Sequence, residues 1–188
     1  MSFLADLPSG LAGDANKDGV RSSFQDEFVE LLNTDIEEDI SLWSIWDGSA
    51  LRHQFPPSTL LSPYERFVIF GGGSLNNFEG LAALASSGSL SLNNAGDQIV
   101  LKNNLGEIVD QVAFSSEADK DQSLTRYPER TGLFQLHSRV SSENLLFSPG
   151  ADPEGQRSSK TPATPEPITT LLVSVGFVKA LWRKRTRD

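Results

Sequence analysis

"GSLSLNNAGDQIVLKNNLGEIVDQVAF", residues 88–114, has the clearest pattern of strands and turns in this sequence. Apolar and polar residues alternate in three short runs, which contain Leu90 and Leu92, Ile99 and Leu101, and Val109 and Val112. The runs are separated by "NNAGD" and "NNLG", in which Asn tolerates and Gly readily adopts the positive φ of a tight turn. The pattern therefore predicts a β-meander of three strands.

Further short apolar segments lie before the meander. In "QDEFVELLN", residues 25–33, Val29 and Leu31 alternate with Phe28 and Glu30, which predicts a strand buried mainly on one face. "ERFVIFGGG", residues 65–73, predicts a strand buried on both faces and ended by a glycine turn. "ISLWSIWD" (40–47) and "ALRHQFP" (50–56) predict two more strands. Some seven short strands with frequent turns favour an all-β, two-sheet sandwich.

Composition and charge narrow the class of protein. A chain of 188 residues allows one domain and a modest appendage, and the absence of cysteine excludes disulfides and thiolate chemistry. Residues 1–163 hold 11 Lys and Arg against 23 Asp and Glu, a net charge of −12, whereas the last 25 residues hold 5 against 2. An acidic body repels phosphate backbones, so we expect no nucleic-acid binding.

The sequence resembles the bacterial lamin-tail domain, an immunoglobulin-like β-sandwich. The resemblance rests on six segments in the family's order: "DEFVELLN" (26–33), "LWSIWD" (42–47), "HQFPPSTLLSPYERFVIFGGG" (53–73), "SLSLNNAGDQIVLKNNLGEIVDQVAF" (89–114), "DQSLTRYPERTGLF" (121–134) and "SPGADPEG" (148–155). It implies a sandwich over residues 1–155. Such domains usually begin with a strand like "INEVLAD", of which only "FLAD" (3–6) stands here. Either the first strand is built differently or the true start lies upstream.

The C-terminus resembles a PEP-CTERM sorting signal. Pro165, Glu166 and Pro167 precede an apolar segment, 168–182, and a basic cluster of Arg183, Lys184, Arg185 and Arg187. The resemblance implies recognition by an exosortase, transient anchoring in the inner membrane, and delivery to the cell envelope, cell surface or extracellular matrix. The apolar segment spans about 22 Å as a helix, which is short against the roughly 30 Å of a hydrocarbon core. An ordinary amphipathic C-terminal helix is the alternative.

The segment between the sandwich and this tail lacks periodicity. It is rich in Ser, Pro and charge, which is typical of a flexible linker over residues 156–164. The predicted architecture is therefore a sandwich, a linker and a short hydrophobic helix within 165–188.

"GDANKDGV", residues 13–20, has the alternating oxygen ligands of a calcium loop. Asp14, Asn16, Asp18 and the Val20 carbonyl provide them, and Asp26 or Glu27 would have to fold back to complete the shell. Position 12 of an EF-hand loop would be Gln25, a neutral amide, which disfavours a helix–loop–helix sensor. A structural calcium site and a metal-free loop of Asx-turns remain equal alternatives.

Residues with catalytic potential do not form a recognisable motif. His53 and His137 lie in strand-like contexts, and "GGGS" (71–74) lacks the lysine and helix of a phosphate loop. We therefore predict that the chain is not an enzyme. Trp43 and Trp46 would stack on sugars if exposed, but core packing is the favoured interpretation.

Asp121 and Arg126 are candidates for a charge-assisted contact between a loop and a sheet. "DQSLTR" places Asp121 and Arg126 close enough to tie a loop to a sheet through a charge-assisted hydrogen bond.

Two functions fit these features. The first is a non-enzymatic, exported cell-surface sandwich with a structural or adhesive role, whose partner is an extracellular polysaccharide or protein. The alternative is a calcium-assisted polysaccharide-binding module. An aromatic-lined groove or an emptied metal cage would favour the second.

Overall fold

The computed structural model describes residues 1–157, which form an all-β domain. The strands within these residues are β1 Ser2–Leu4, β2 Phe28–Leu32, β3 Glu38–Asp39, β4 Ser44–Trp46, β5 Leu51–Gln54, β6 Leu60–Leu61, β7 Arg66–Phe70, β8 Leu81–Leu84, β9 Asp97–Lys102, β10 Ile108–Phe114, β11 Leu124–Tyr127 and β12 Leu133–Leu136. Three short 3₁₀ turns, Gly10–Gly13, Ser116–Ala118 and His137–Arg139, connect them. No helix in this part of the chain is long and apolar enough to cross a membrane.

Two main sheets make up the sandwich predicted from the sequence. One has six strands in the order β12-β11-β1-β2-β7-β8, and the other has four in the order β10-β9-β4-β5. A two-stranded ribbon, β3-β6, is hydrogen-bonded to neither sheet, and Leu61 of β6 packs into the main core. Apolar side chains from the facing sides of the sheets, among them Phe3, Phe55 and Ile99, fill the main core.

The six-stranded sheet is also covered on its outer face. Its outward apolar side chains, among them Leu4, Phe28 and Phe70, form a second cluster with Leu7 and Ala15 of the N-terminal segment, and Phe78 and Phe147 pack against it. Phe147 belongs to the C-terminal strap, which we define as residues 141–157. Strand β2 is therefore buried on both faces, and the prediction of one-sided burial was wrong because the sequence alone does not show that the strap returns over this strand.

The predicted three-stranded meander is a two-stranded hairpin. Strands β9 and β10 pair as expected across the "NNLG" turn, but Leu90 and Leu92 are buried in the main core without belonging to a strand. Their segment takes its hydrogen bonds from side chains: the Leu92 N–H donates to Glu27 Oε2, and the Ser91 N–H donates to Ser89 Oγ. Alternation thus reported burial correctly but not strand pairing.

The short first segment forms a strand of the six-stranded sheet. Ser2 and Phe3 pair with Thr125 and Leu124 of β11 on one side, and Ser2–Leu4 pairs with β2 on the other. The apolar tail and all but the first two residues of the linker lie outside the described residues.

Candidate functional site

Within residues 1–157, no strap covers the outer face of the four-stranded sheet. Antiparallel partners share a face, and since Ile45, Ile99 and Leu101 point into the core, their strand neighbours point outward. Six polar or aromatic side chains mark this surface, which we call the open face: Ser44, Trp46, Gln54, Gln98, Lys102 and Gln111. The open face is thus a partly exposed counterpart to the covered outer face of the other sheet.

Trp46 lies at the centre of the open face and is only half-buried. Its partner on β9 is Val100, and its indole Nε1 donates to Ser44 Oγ over 2.9 Å, which fixes the ring along the strand. The Lys102 ammonium sits 4.4 Å from the ring centroid in a cation–π contact. Core packing was therefore the wrong interpretation for Trp46.

Trp43, by contrast, packs against the main core as predicted. It also lines a cleft of about 420 Å³ that opens at one end of the sandwich. The cleft walls are mainly apolar, and two carboxylates, Glu38 and Asp110, lie among them. Asp110 is already held by Arg126, so it serves an ion pair between the sheets.

Arg126 does not pair with Asp121, and that sequence prediction was wrong. Its guanidinium donates to both oxygens of Asp110 on β10, at 2.7 and 3.0 Å, and so joins the two sheets. Asp121 instead uses its main-chain N–H, which donates to Asp6 Oδ2. Sequence proximity suggested the closer carboxylate, whereas the sandwich brings a more distant one opposite Arg126.

The acidic loop at 13–20 is closed by hydrogen bonds to its own carboxylates. Asp14 accepts from the N–H groups of Asp18 and Gly19, at 3.1 and 2.9 Å, and Asn16 Oδ1 also accepts from Asp18. Asp18 accepts from the N–H of Val20. The contacts of Asn16 with Asp18 and of Asp18 with Val20 are Asx-turns, and Asp14 reaches four and five residues along the loop.

The loop is docked onto the three glycines that follow β7. Asn16 Nδ2 donates to the Gly72 carbonyl, and Asp18 Oδ2 accepts from the Ser74 N–H. A β-carbon at Gly73, where φ is +83°, would lie 2.3 Å from Asn16 Nδ2, and one at Gly71 would lie 1.8 Å from the Phe24 carbonyl oxygen. "GGGS" is a strand-ending turn, and glycine is needed at these two positions because a side chain would clash with Asn16 or with the Phe24 backbone.

Asp26 joins this loop, whereas Glu27 does not. Asp26 is fully buried and accepts from the N–H groups of Asn16 and Ser22, at 3.1 and 2.7 Å; burial nevertheless raises its pKa. Glu27 points to Leu92 on the other side of the chain, where burial raises its pKa to about 7. Within residues 1–157, no group of three or more His, Asp or Glu side chains is placed to hold a metal ion. A cation here would depend on Asn16 and main-chain oxygens beside Asp14 and Asp18.

A structural calcium ion at this loop stays a prediction, and thermal unfolding tests it. A carboxylate oxygen that accepts one N–H keeps a second lone pair for a hard cation. Calcium at about 100 times its Kd should then stabilise the fold by about 2.7 kcal/mol, and magnesium should do less because it needs a tighter octahedral shell.

Variants locate the effect. Asp14→Ala and Asp18→Ala should each abolish the difference in melting temperature between calcium and chelator, and Glu27→Gln should keep it. Identical wild-type melting curves in calcium and chelator would exclude the metal.

Both histidines are buried. His53 is buried edge-to-face against Phe55, with ring centroids 4.7 Å apart, and burial lowers its pKa. Burial also lowers the pKa of His137, whose Nδ1 lies 2.9 Å from Thr125 Oγ1 and whose Nε2 lies 3.3 Å from Ser148 Oγ.

The contact between His137 and Ser148 fastens the strap to β11. The Ser148 hydroxyl donates to the Asp152 carbonyl over 2.7 Å, and Nδ1 of His137 faces hydroxyl groups instead of an orienting carboxylate. A nucleophile, base and orienting acid are thus not assembled here.

The predicted sorting residues all lie outside the described residues: Pro165, Glu166, Pro167, Arg183, Lys184, Arg185 and Arg187. The sorting signal is therefore supported by the sequence alone.

Two sheets packed around one core, with a strap on one outer face and an open face on the other, define an immunoglobulin-like β-sandwich domain. The lamin tail domain family model matches residues 11–116, more than half of the chain, and the chain belongs to this family. The match runs from before β2 to the end of β10, so β1, β11 and β12 complete the six-stranded sheet from outside it. A search of curated proteins found no match.

Proposed function

We propose that this chain is a non-enzymatic sandwich, exported to the cell surface or extracellular matrix, with a structural or adhesive role. The observation that carries the proposal is the asymmetry of the domain. The outer face of the six-stranded sheet is covered by the second apolar cluster and Phe147 of the strap. The four-stranded sheet presents the open face, which includes Trp46. Such a domain offers a surface for contact with a partner. Its buried ionisable groups take part in packing and in attachment of the strap.

The family itself supports the non-catalytic part of this proposal. Lamin tail domains are immunoglobulin-like modules and are generally non-catalytic. Fold alone does not determine function, so the role of this chain is argued from its surfaces.

Export is proposed from the tail sequence. Pro-Glu-Pro at 165–167, the apolar segment and the basic cluster occur in the order that exosortase substrates require. The basic cluster fits a cytoplasmic stop under the positive-inside rule.

Processing of the tail gives the test. In cells that contain an exosortase, we expect the mature envelope protein to end near Pro167, as measured by mass spectrometry of its C-terminal peptide. Glu166→Ala should leave the full-length chain in the membrane fraction, whereas Thr164→Ala, next to the motif, should be processed normally. Recovery of Asp188 in the mature wild-type protein would overturn the export proposal.

A further inference from the structure

The open face presents an aromatic ring and amides on one plane. Trp46 lies along β4, and on the same face the exposed Gln54 of β5 pairs with Ser44, two residues from Trp46. On the opposite side, Gln98 and Gln111 are linked at 3.4 Å between Nε2 and Oε1. Each amide both donates and accepts hydrogen bonds. This pairing of a flat apolar ring with two-way polar groups matches a sugar ring, which has apolar C–H faces and hydroxyls that also donate and accept.

Charge decides which kind of sugar polymer fits. The six residues of the open face include one cation, Lys102, and no carboxylate. The nearby Asp47 is buried and paired with Arg52. The domain as a whole, however, carries a net charge of −12 over residues 1–163, so a polyanion would be repelled during approach. A neutral polymer meets no such repulsion, and the Lys102 ammonium can donate to its hydroxyls.

We propose that the open face binds a neutral polysaccharide, with Trp46 stacked against a sugar ring and Gln54, Gln98, Gln111 and Lys102 bonded to its hydroxyls. Lys102 must swing off the indole to admit the ring, which a flexible lysine side chain permits at small cost. The strapped sheet offers no equivalent surface, because Phe28 and Phe70 are covered there.

This inference deepens the proposed adhesive role and rests on it for its setting. The two fail separately. A purified chain that does not bind polysaccharide leaves export untouched, and a chain that binds polysaccharide but is not processed contradicts only export.

Affinity electrophoresis of the full chain tests the inference. Native gels would contain dextran, soluble starch, galactomannan or hydroxyethyl cellulose as neutral polymers, and alginate as the acidic comparison. We expect at least one neutral polymer to retard the wild-type protein and alginate to have no effect. Trp46→Ala should weaken binding about tenfold or more, as expected for an aromatic anchor at the centre of a contact surface.

Two further variants make the result decisive. Gln111→Arg places a bulky side chain on the open face without removing a buried group, so it should block binding even if Trp46→Ala fails to fold. Phe24→Ala removes another exposed aromatic residue, outside the open face, and should bind like the wild type. Absence of retardation by every neutral polymer, retardation by alginate alone, or unchanged binding in a folded Trp46→Ala or in Gln111→Arg would overturn the inference.

Discussion

Arg66→Met is expected to lower the free energy of unfolding by about 3–5 kcal/mol, because it leaves the carboxylate of Glu30 buried without a counter-charge. Glu30 is 2% exposed and accepts from Arg66 Nη1 at 2.8 Å, from Ser2 Oγ at 3.1 Å and from the Gly150 N–H at 2.6 Å. It thereby joins β1, β2, β7 and the strap. Burial raises its pKa although Arg66 opposes that shift.

Chemical denaturation measures this effect, and two variants show its origin. Arg130→Met removes the same kind of charge from an exposed pair with Asp35, 3.8 Å long, and should cost less than about 1 kcal/mol. The double variant Arg66→Met with Glu30→Gln removes both charges and should recover part of the loss. Equal destabilisation by Arg66→Met and Arg130→Met would contradict the assigned role of Glu30.

Glu27→Gln is expected to stabilise the domain above pH 7 by up to about 3 kcal/mol. Burial raises the pKa of Glu27 from 4.5 to about 7, so folding favours its protonated form. Its contribution to stability is fully present below pH 4.5 and is lost as the pH rises to about 7. The glutamine stays neutral and keeps an oxygen that accepts from Leu92.

The measurement is the difference in unfolding free energy between Glu27→Gln and wild type at pH 4.5 and pH 8. The difference should be small at the lower pH and large at the higher one. Comparison at equal pH removes the opposite effect of His53 and His137, whose lowered pKa values make acid destabilising. Glu143→Gln, at an exposed position, should change stability by less than about 0.5 kcal/mol at both pH values. A pH-independent difference for Glu27→Gln would contradict burial of an ionisable carboxyl.

Local sequence pattern predicted the strands whose partners are near in the chain or whose burial is continuous. Strand β7 was correct because Phe67–Phe70 is apolar on both faces, and the β9–β10 hairpin was correct because "NNLG" permits one tight turn. Leu90 and Leu92 misled, since alternation also arises in an extended core segment whose N–H groups bond to side chains.

The candidate site depended on contacts between distant residues, which the sequence does not encode locally. Trp43 and Trp46 are three residues apart, so an extended chain already places them on opposite faces. Which of the two faces the core depends on how the sheets pack, and the sequence does not show that locally. The strap likewise decides which outer face stays open. A partial signal was available for the open face: the polar Gln98 and Lys102 flank the buried apolar run Ile99–Leu101, although the outward-pointing Val100 is buried as well.

If the chain is displayed at the cell surface, as proposed, an antibody should reach it on intact cells. An epitope inserted between Asn104 and Leu105 lies in the exposed β9–β10 turn, where Leu105 is 77% exposed, and should leave the sandwich intact. Display at the cell surface predicts that intact cells are labelled as strongly as permeabilised cells. A cytoplasmic marker should be labelled only after permeabilisation. Labelling of the epitope only in permeabilised cells would contradict display at the cell surface.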